Sequence, residues 1–380
     1  MSGSAPLLAR AAVIAVAAIF GLTYSLTAPL IALDLAERGL GETAIGLNAA
    51  MHAVGVLLTA PLLPRLVARF GARRMVVTAL LLSAVVVALF PAMPLVWLWF
   101  PLRLLLGCAA ETLFVLSETW INHLSSEESR ARAMATYTAS LSVGFAAGPL
   151  ILSVTGSEGA ISYIVGALLV LCAVPLVASP RVAAPHFGEE PKAGPIHYLR
   201  LAPIAIAATV LNAAIETAGM SFLALYAMGA GWTEAESPRL ITALMVGAIL
   251  LQLPIGWLGD RMDRRRLVLG LAVVSAAGAL AWPFVLGSPV AAYATLFIWG
   301  GAFVGIYTIM LTLVGSRFKG TDLVGIYAVM GLAWGVGALL GPTLAGFAMG
   351  MATHGLPIFA ALACAAFCVF MLASRRGDAS

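Results

Sequence analysis

Twelve apolar stretches, almost free of charge, follow one another along this 380-residue chain. They fall near 10–33, 43–66, 74–93, 95–122, 130–154, 159–179, 200–228, 238–259, 265–286, 289–314, 322–350 and 355–374. A helix needs about 20 apolar residues to cross a bilayer, and the stretches meet that length. The pattern predicts twelve membrane-spanning α-helices. The polar positions fall between them, and the basic ones collect on one side. With a cytoplasmic N-terminus, Arg10, Arg65, Arg69, Arg73, Arg74, Arg130, Arg132, Arg181, Lys192, Arg200, Arg261, Arg264, Arg265, Arg266, Arg317, Lys319, Arg375 and Arg376 all lie inside. Only Arg38 and Arg239 lie outside, and Arg103 falls within a span. This bias follows the positive-inside rule, so both termini are expected to be cytoplasmic.

The polar, proline-rich run 180–199 holds Pro180, Pro185, Pro191 and Pro195. It reads as an irregular cytoplasmic linker. The predicted organisation is a six-helix bundle over 1–179, the linker 180–199, and a second six-helix bundle over 200–380. The halves match each other in sequence. Gly55 and Gly247 are 192 residues apart, as are Arg73 and Arg265, and Gly148-Pro149 lies 193 before Gly341-Pro342. One offset shared by several positions marks an internal repeat, and parallel six-span repeats build transporters with a site near the bilayer midplane.

Composition agrees. Hydrophobic residues make up 62% of the chain and charged ones 10%, where a soluble domain carries about 25% charge. No separate soluble domain is therefore expected. The net charge of +4 comes from the loop arginines, which suit an anionic membrane leaflet and call for no nucleic-acid partner. Cys108, Cys172, Cys364 and Cys368 all lie inside spans and read as small apolar packing residues. Two thiols without further ligands make a poor metal site, so neither metal nor cofactor is expected.

Against this apolar background the buried charges stand out: Arg103, Glu111 and Glu118 in span four, and Glu216 in span seven. Ionisable groups inside a membrane are costly and by default mark an ion or substrate path. Glu111 and Glu118 are seven residues apart, which separates them by about 20° in direction and about 10.5 Å in height on one helix face. A carboxylate held away from water can take up a proton and lose its charge. Both are candidates for proton coupling, and each has a structural alternative. Glu118 can rest near the interface beside Trp120 and His123, and Glu111 can be a neutral acid bonded to a neighbouring helix. Arg103 can neutralise Glu111, steer an anionic group, or snorkel outward. Its turn to Glu111 is about 80°, which disfavours direct pairing. Asn212 lies one turn before Glu216 and shares its face. Arg103, Glu216, Asn212 and Tyr24 are the candidate substrate contacts. Asn48, His52 and Gln252 are weaker ones.

Several motifs make the chain similar to the major facilitator superfamily. Gly256-Trp-Leu-Gly-Asp260-Arg261-Met-Asp-Arg264-Arg265 resembles its G-x-x-x-D-R-x-G-R-R signature, between spans eight and nine. Arg103-Leu-Leu-Leu-Gly107 resembles its R-x-x-x-G motif, and Gly144-Phe-Ala-Ala-Gly148-Pro149 the start of its antiporter motif. Within the superfamily the likeness is closest to the YcaD-like branch of bacterial transporters. It rests on Arg103, Gly107 and Glu118, on Trp257-Leu-Gly-Asp260, and on Gly337-Ala-Leu-Leu-Gly341-Pro342.

The resemblance implies the major facilitator fold and a bacterial inner membrane. It implies helix packing or bending at Gly144, Gly148, Pro149, Gly337, Gly341 and Pro342. Spans three, six, nine and twelve become the lipid-facing helices, and their interiors carry no Asp, Glu, Lys, Arg or His. A cytoplasmic gate is implied around Asp260, Arg261, Arg264, Arg265, Arg69, Arg73, Arg130 and Arg132, with Asp260 reaching Arg130 or Arg132. The first-half copy of the signature departs from the family, because Ala68 stands where an Asp is expected. An asymmetric gate is the expected consequence.

The expected function is proton-coupled secondary transport of a small organic molecule, leaning toward efflux of a cationic or amphipathic compound by a monomer. A proton symporter is the alternative transporter and a membrane sensor the alternative outside transport. No G-x-S-x-G, H-E-x-x-H or Walker pattern is present, which argues against an enzyme or an ATP-driven pump.

Overall fold

The structure, a computed structural model, describes residues 4–125, 127–179, 182, 200–318 and 320–374. Among these residues the regular secondary structure is all helical. The helices are α1 (Ser4–Glu37), α2 (Glu42–Thr59), α3 (Leu63–Phe70), α4 (Ala72–Leu89), α5 (Trp99–His123), α6 (Glu127–Thr155) and α7 (Ile161–Ala178). There follow α8 (Pro203–Gly229), α9 (Ser237–Leu250), α10 (Gln252–Arg261), α11 (Arg264–Val285), α12 (Pro289–Arg317), α13 (Gly320–Met351) and α14 (Gly355–Ala373). Among the described residues, eleven helical segments are long and apolar enough to cross a membrane, or twelve when the bent pair α2 and α3 counts as one span.

The apolar stretch near 43–66 is thus bent by 61° within its length. Its cause is local. Pro61 and Pro64 remove two backbone donors and their rings block continuation of the helix, so α2 stops at Thr59 and α3 restarts at Leu63. The second half breaks at the equivalent place, where Pro254 follows the end of α9 at Leu250.

The chain forms two compact units, Met1–Arg38 with Met51–Glu189, and Gly39–Ala50 with Glu190–Ser380. Grouping of 39–50 with the second unit has no signature in the sequence. Of the linker 180–199, only Val182 is among the described residues.

Each unit is built on the same helix pairs. In the first, α1 packs on α6, α4 on α7 and α4 on α5. In the second, α8 packs on α13, α11 on α14 and α11 on α12. The offset seen in the sequence therefore reappears as contact. A Cβ on Gly107 would run into the backbone carbonyl of His52, and one on Gly300 into that of Leu244. Gly55 meets Leu104 in the same way, and Gly247 meets Phe297. Such close backbone approach favours small residues in membrane helix pairs. Gly144 lies on Ala18 and Gly148 on Ser25 and Leu26, while Gly337 lies on Val210 and Gly341 on Ala214. Pro149 and Pro342 sit inside α6 and α13, one residue beyond these crossings.

Several hydroxyls in the apolar helices are satisfied locally. Thr27 donates to the Thr23 carbonyl at 2.6 Å, Thr217 to Ala213 at 2.7 Å and Ser221 to Thr217 at 2.9 Å. This back-bonding lets hydroxyls sit in apolar surroundings without an orphaned donor. On α4, α7, α11 and α14, exposed large side chains include Val85, Leu168, Phe284 and Leu362, which suits contact with lipid. All four cysteines are free thiols. Cys364 is buried, and Cys172 is exposed on α7 rather than packed inside.

Candidate functional site

Each unit holds a small cavity lined in part by polar groups from inside the spans. In the first, Tyr24 of α1 meets His52 of α2, with ring centroids 5.1 Å apart, and also the edge of Phe145 at 5.9 Å. Tyr24, His52, Thr23, Thr27 and Ser83 line a small cavity with Leu106, Ala110 and Leu113 of α5. Arg103 lies one turn before Leu106 on the same helix face. It is only 2% exposed, so it does not snorkel. Tyr24, His52 and Tyr163 are within its electrostatic reach.

Beyond Arg103 lies a cluster the sequence did not reveal. Asp34, near the C-terminal end of α1, is 7% exposed. Arg38 donates to its Oδ1 at 2.7 Å and the Tyr163 hydroxyl to its Oδ2 at 3.0 Å. The Arg38 guanidinium also lies 4.7 Å from the centre of the Trp99 ring. The only hint in sequence is the i, i+4 spacing of Asp34 and Arg38. In the second unit Tyr226, equivalent to Asp34 in the repeat, has a different partner: its hydroxyl lies 3.0 Å from Nδ1 of His354.

Glu111 and Glu118 stand on α5, both half-buried. Among the described residues neither makes an ion pair. Tyr137 of α6 lies within electrostatic reach of Glu118, and its hydroxyl is 3.1 Å from that of Ser117.

The second unit places its carboxylate at the position equivalent to Tyr24. Glu216 of α8 accepts a hydrogen bond from Nδ2 of Asn212 at 3.1 Å. The polar patch expected from their spacing is thus a bonded pair. Glu216 lines a cavity with Ile215, Gly219, Met220, Ile241, Leu244, Met245, Trp299 and Phe303. Ile215, Glu216, Gly219, Leu244, Trp299 and Phe303 are the repeat counterparts of Thr23, Tyr24, Thr27, His52, Leu106 and Ala110. The two cavities therefore occupy one place in the repeat. Asn48, buried at 1%, and Gln252 line neither of them.

The gate residues are placed unevenly. Arg73 donates to the carbonyl of Val182, beyond the end of α7, and Arg265 donates to that of Met371 near the end of α14, at 2.8 Å. Both arginines so tie the sixth span of their own half. Arg264 reaches the Gly259 carbonyl at 3.2 Å and the Ser316 hydroxyl at 3.1 Å, and lies 3.8 Å from Asp260. Arg261 stacks over Trp257 at 3.6 Å and Arg69 over Phe70 at 5.3 Å. Ala68 is exposed. Arg130 and Arg132 lie on α6 with side chains outside the described residues, and so does the expected partnership with Asp260. The turn into the third span of each half also differs: Gly71 takes φ +80°, whereas its counterpart Asp263 caps α11 by accepting from the Arg266 amide at 2.8 Å.

The sequence profile of the Major Facilitator Superfamily matches residues 13–239 and 205–379. The chain is 26% identical to the MFS-type transporter YfkF of Bacillus subtilis over 344 residues, covering 87% of this chain and 86% of that protein. It is 24% identical to an MFS-type transporter of Yersinia pestis over 364 residues, covering 95% and 94%. Among solved structures, the nucleoside transporter NupG superposes with a TM-score of 0.79 at 13% identity, over 98% of this chain and 99% of that one. A bacterial homolog of the human lysosomal transporter Spinster gives 0.74, also at 13% identity, over 98% and 96%. With the profile matched over both halves and the fold shared from end to end, the chain belongs to the Major Facilitator Superfamily and is a multi-pass membrane transporter.

Proposed function

We propose that this transporter is a proton-coupled antiporter that exports a cationic or amphipathic small molecule across a bacterial inner membrane, as a monomer with both termini cytoplasmic. The observation that carries this reading is the state of the three carboxylates. Glu111, Glu118 and Glu216 lie within membrane-spanning helices, and among the described residues none has a basic partner within ion-pair distance. A carboxylate so placed must be neutralised by a proton or by a bound cation, because an uncompensated charge in a low-dielectric interior is costly. Exchange of those two neutralising species is antiport. In this scheme Glu118 takes the proton and Glu111 is its neighbour on the same face. Glu216, bonded by Asn212 and flanked by Trp299 and Phe303, receives the cationic part of the substrate. Aromatic faces favour cations as well as apolar groups. The local bonding of Arg73 and Arg265 leaves Asp260, Arg261, Arg264 and Arg69 as the residues that gate the cytoplasmic side, unequally because Ala68 lacks a carboxylate.

The test is ligand-induced thermal stabilisation of purified protein by cationic, zwitterionic and anionic compounds at acidic and alkaline pH, with Glu118→Gln beside wild type. Competition predicts stabilisation by cations that strengthens at alkaline pH and fades in the variant. Binding favoured at acidic pH and insensitive to Glu118→Gln would overturn antiport in favour of a symporter.

A further inference from the structure

The guanidinium of Arg103 is fully charged at any physiological pH and 2% exposed, yet its Nε and Nη1 find no hydrogen-bond partner. Asp34, the carboxylate of the neighbouring cluster, already accepts from Arg38 and from Tyr163. Among the described residues no carboxylate forms an ion pair with Arg103. Close by, His52 is 7% exposed and its Nδ1 is likewise without a partner. Both side chains belong to one place: His52 lines the cavity between α1, α2 and α5, and Arg103 continues the face of α5 that lines it. Water can satisfy a donor, but it cannot cancel a buried charge, and a single counter-ion does both.

We propose that the first unit holds a resident small monovalent anion, of the halide class, bound by Arg103 and His52 at the edge of this cavity. Tyr24 and Ser83 supply hydroxyl groups in the same wall, and Leu106 and Ala110 close it with apolar surface. The cavity is short and mostly apolar apart from these groups, which suits a compact, weakly hydrated ion over a phosphate or sulfate. The second unit has no such need, because Leu244 and Leu296 stand at the positions equivalent to His52 and Arg103. The inference rests on the geometry of the first unit alone and is independent of the direction, substrate or coupling ion of transport.

The experiment is a thermal-unfolding titration of the purified full-length protein with sodium chloride at constant ionic strength, sodium gluconate making up the balance. Sodium acetate replaces chloride in a parallel series, which separates a carboxylate ligand from a halide. The expected result is saturable stabilisation by chloride, little effect of acetate, and loss of the chloride response in Arg103→Gln. His52→Leu, which installs the residue of the second half, is expected to weaken the response and serves if Arg103→Gln does not fold. Chloride without effect on the wild type would overturn the proposal, and so would equal stabilisation of the wild type and the folded variant. Stabilisation by acetate alone would replace the halide with a carboxylate and overturn the ion class named here.

Discussion

The cavity around Tyr24 and the cavity around Glu216 share a backbone and oppose each other in charge. Each lies between the first, second and fourth spans of its half, and behind each a glycine lets two helices touch, Gly107 on His52 and Gly300 on Leu244. The first presents His52 with Arg103 beside it. The second presents Glu216 with Asn212, against Trp299 and Phe303. The repeat thus conserves positions where backbones meet, which tolerate no added volume, and leaves free the positions where side chains meet a cavity. Shape is held in common, and chemistry is assigned to each half separately.

The largest effect should come from breaking what the halves share. Gly107→Ala and Gly300→Ala each force a methyl group into a carbonyl, and each is expected to cost about 2–4 kcal/mol of stability. Folded yield in detergent and melting temperature measure it. If one glycine tolerates alanine and the other does not, the crossings are not equivalent and the comparison fails at its root. An intermediate effect should come from what the halves do not share. Glu216→Gln is expected to lower transport of a cationic substrate by roughly tenfold, the scale of one charge-assisted hydrogen bond. Tyr24→Phe, at the equivalent position, should leave transport within about twofold. Uptake into proteoliposomes under a pH gradient reads both, and equal losses would erase the functional contrast.

The smallest effect concerns a helix start. Before α9, the Thr233 hydroxyl donates to Oε2 of Glu236 at 2.7 Å, and the Glu236 amide donates to the Thr233 hydroxyl oxygen at 3.3 Å. The first half has Gly41 and Ala44 at these positions and cannot form this box. The side-chain and backbone hydrogen bonds from Thr233 hold the Glu236 carboxyl below its usual range. A depressed folded-state value adds stability above the unfolded-state value, and that stability disappears as pH falls through the folded one. Glu236→Gln should therefore melt slightly below wild type at neutral pH and level with it in acid. A gap that persists in acid would mean the carboxylate's charge is not what the box uses.

The sequence displayed the scaffold well and the site only in part. Helix count, the repeat and the glycine–proline crossings were legible because each rests on spacing along the chain: a run of apolar residues, or a shared offset near 192. The pairing of Asn212 with Glu216 was legible for the same reason, as both sit on one helix one turn apart. Whether Arg103 snorkels was not, because its burial depends on α1, α2 and α7, whose approach no local pattern encodes. The bond of Asp34 to Tyr163 was hidden for the same cause, since the two lie 129 residues apart. The elbow between α2 and α3 was within reach, since Pro61 and Pro64 announce it, but hydropathy runs smoothly across them.

The ties of Arg73 and Arg265 also set an order of assembly. Each arginine opens the third span of its half, and its acceptor, the carbonyl of Val182 or Met371, lies at the far end of the sixth. During synthesis the donor therefore enters the membrane region three spans ahead of its acceptor. Until the sixth span arrives, this bond cannot form. Completion of each half is thus a discrete late event in translation, repeated about half a chain length later by the same kind of bond.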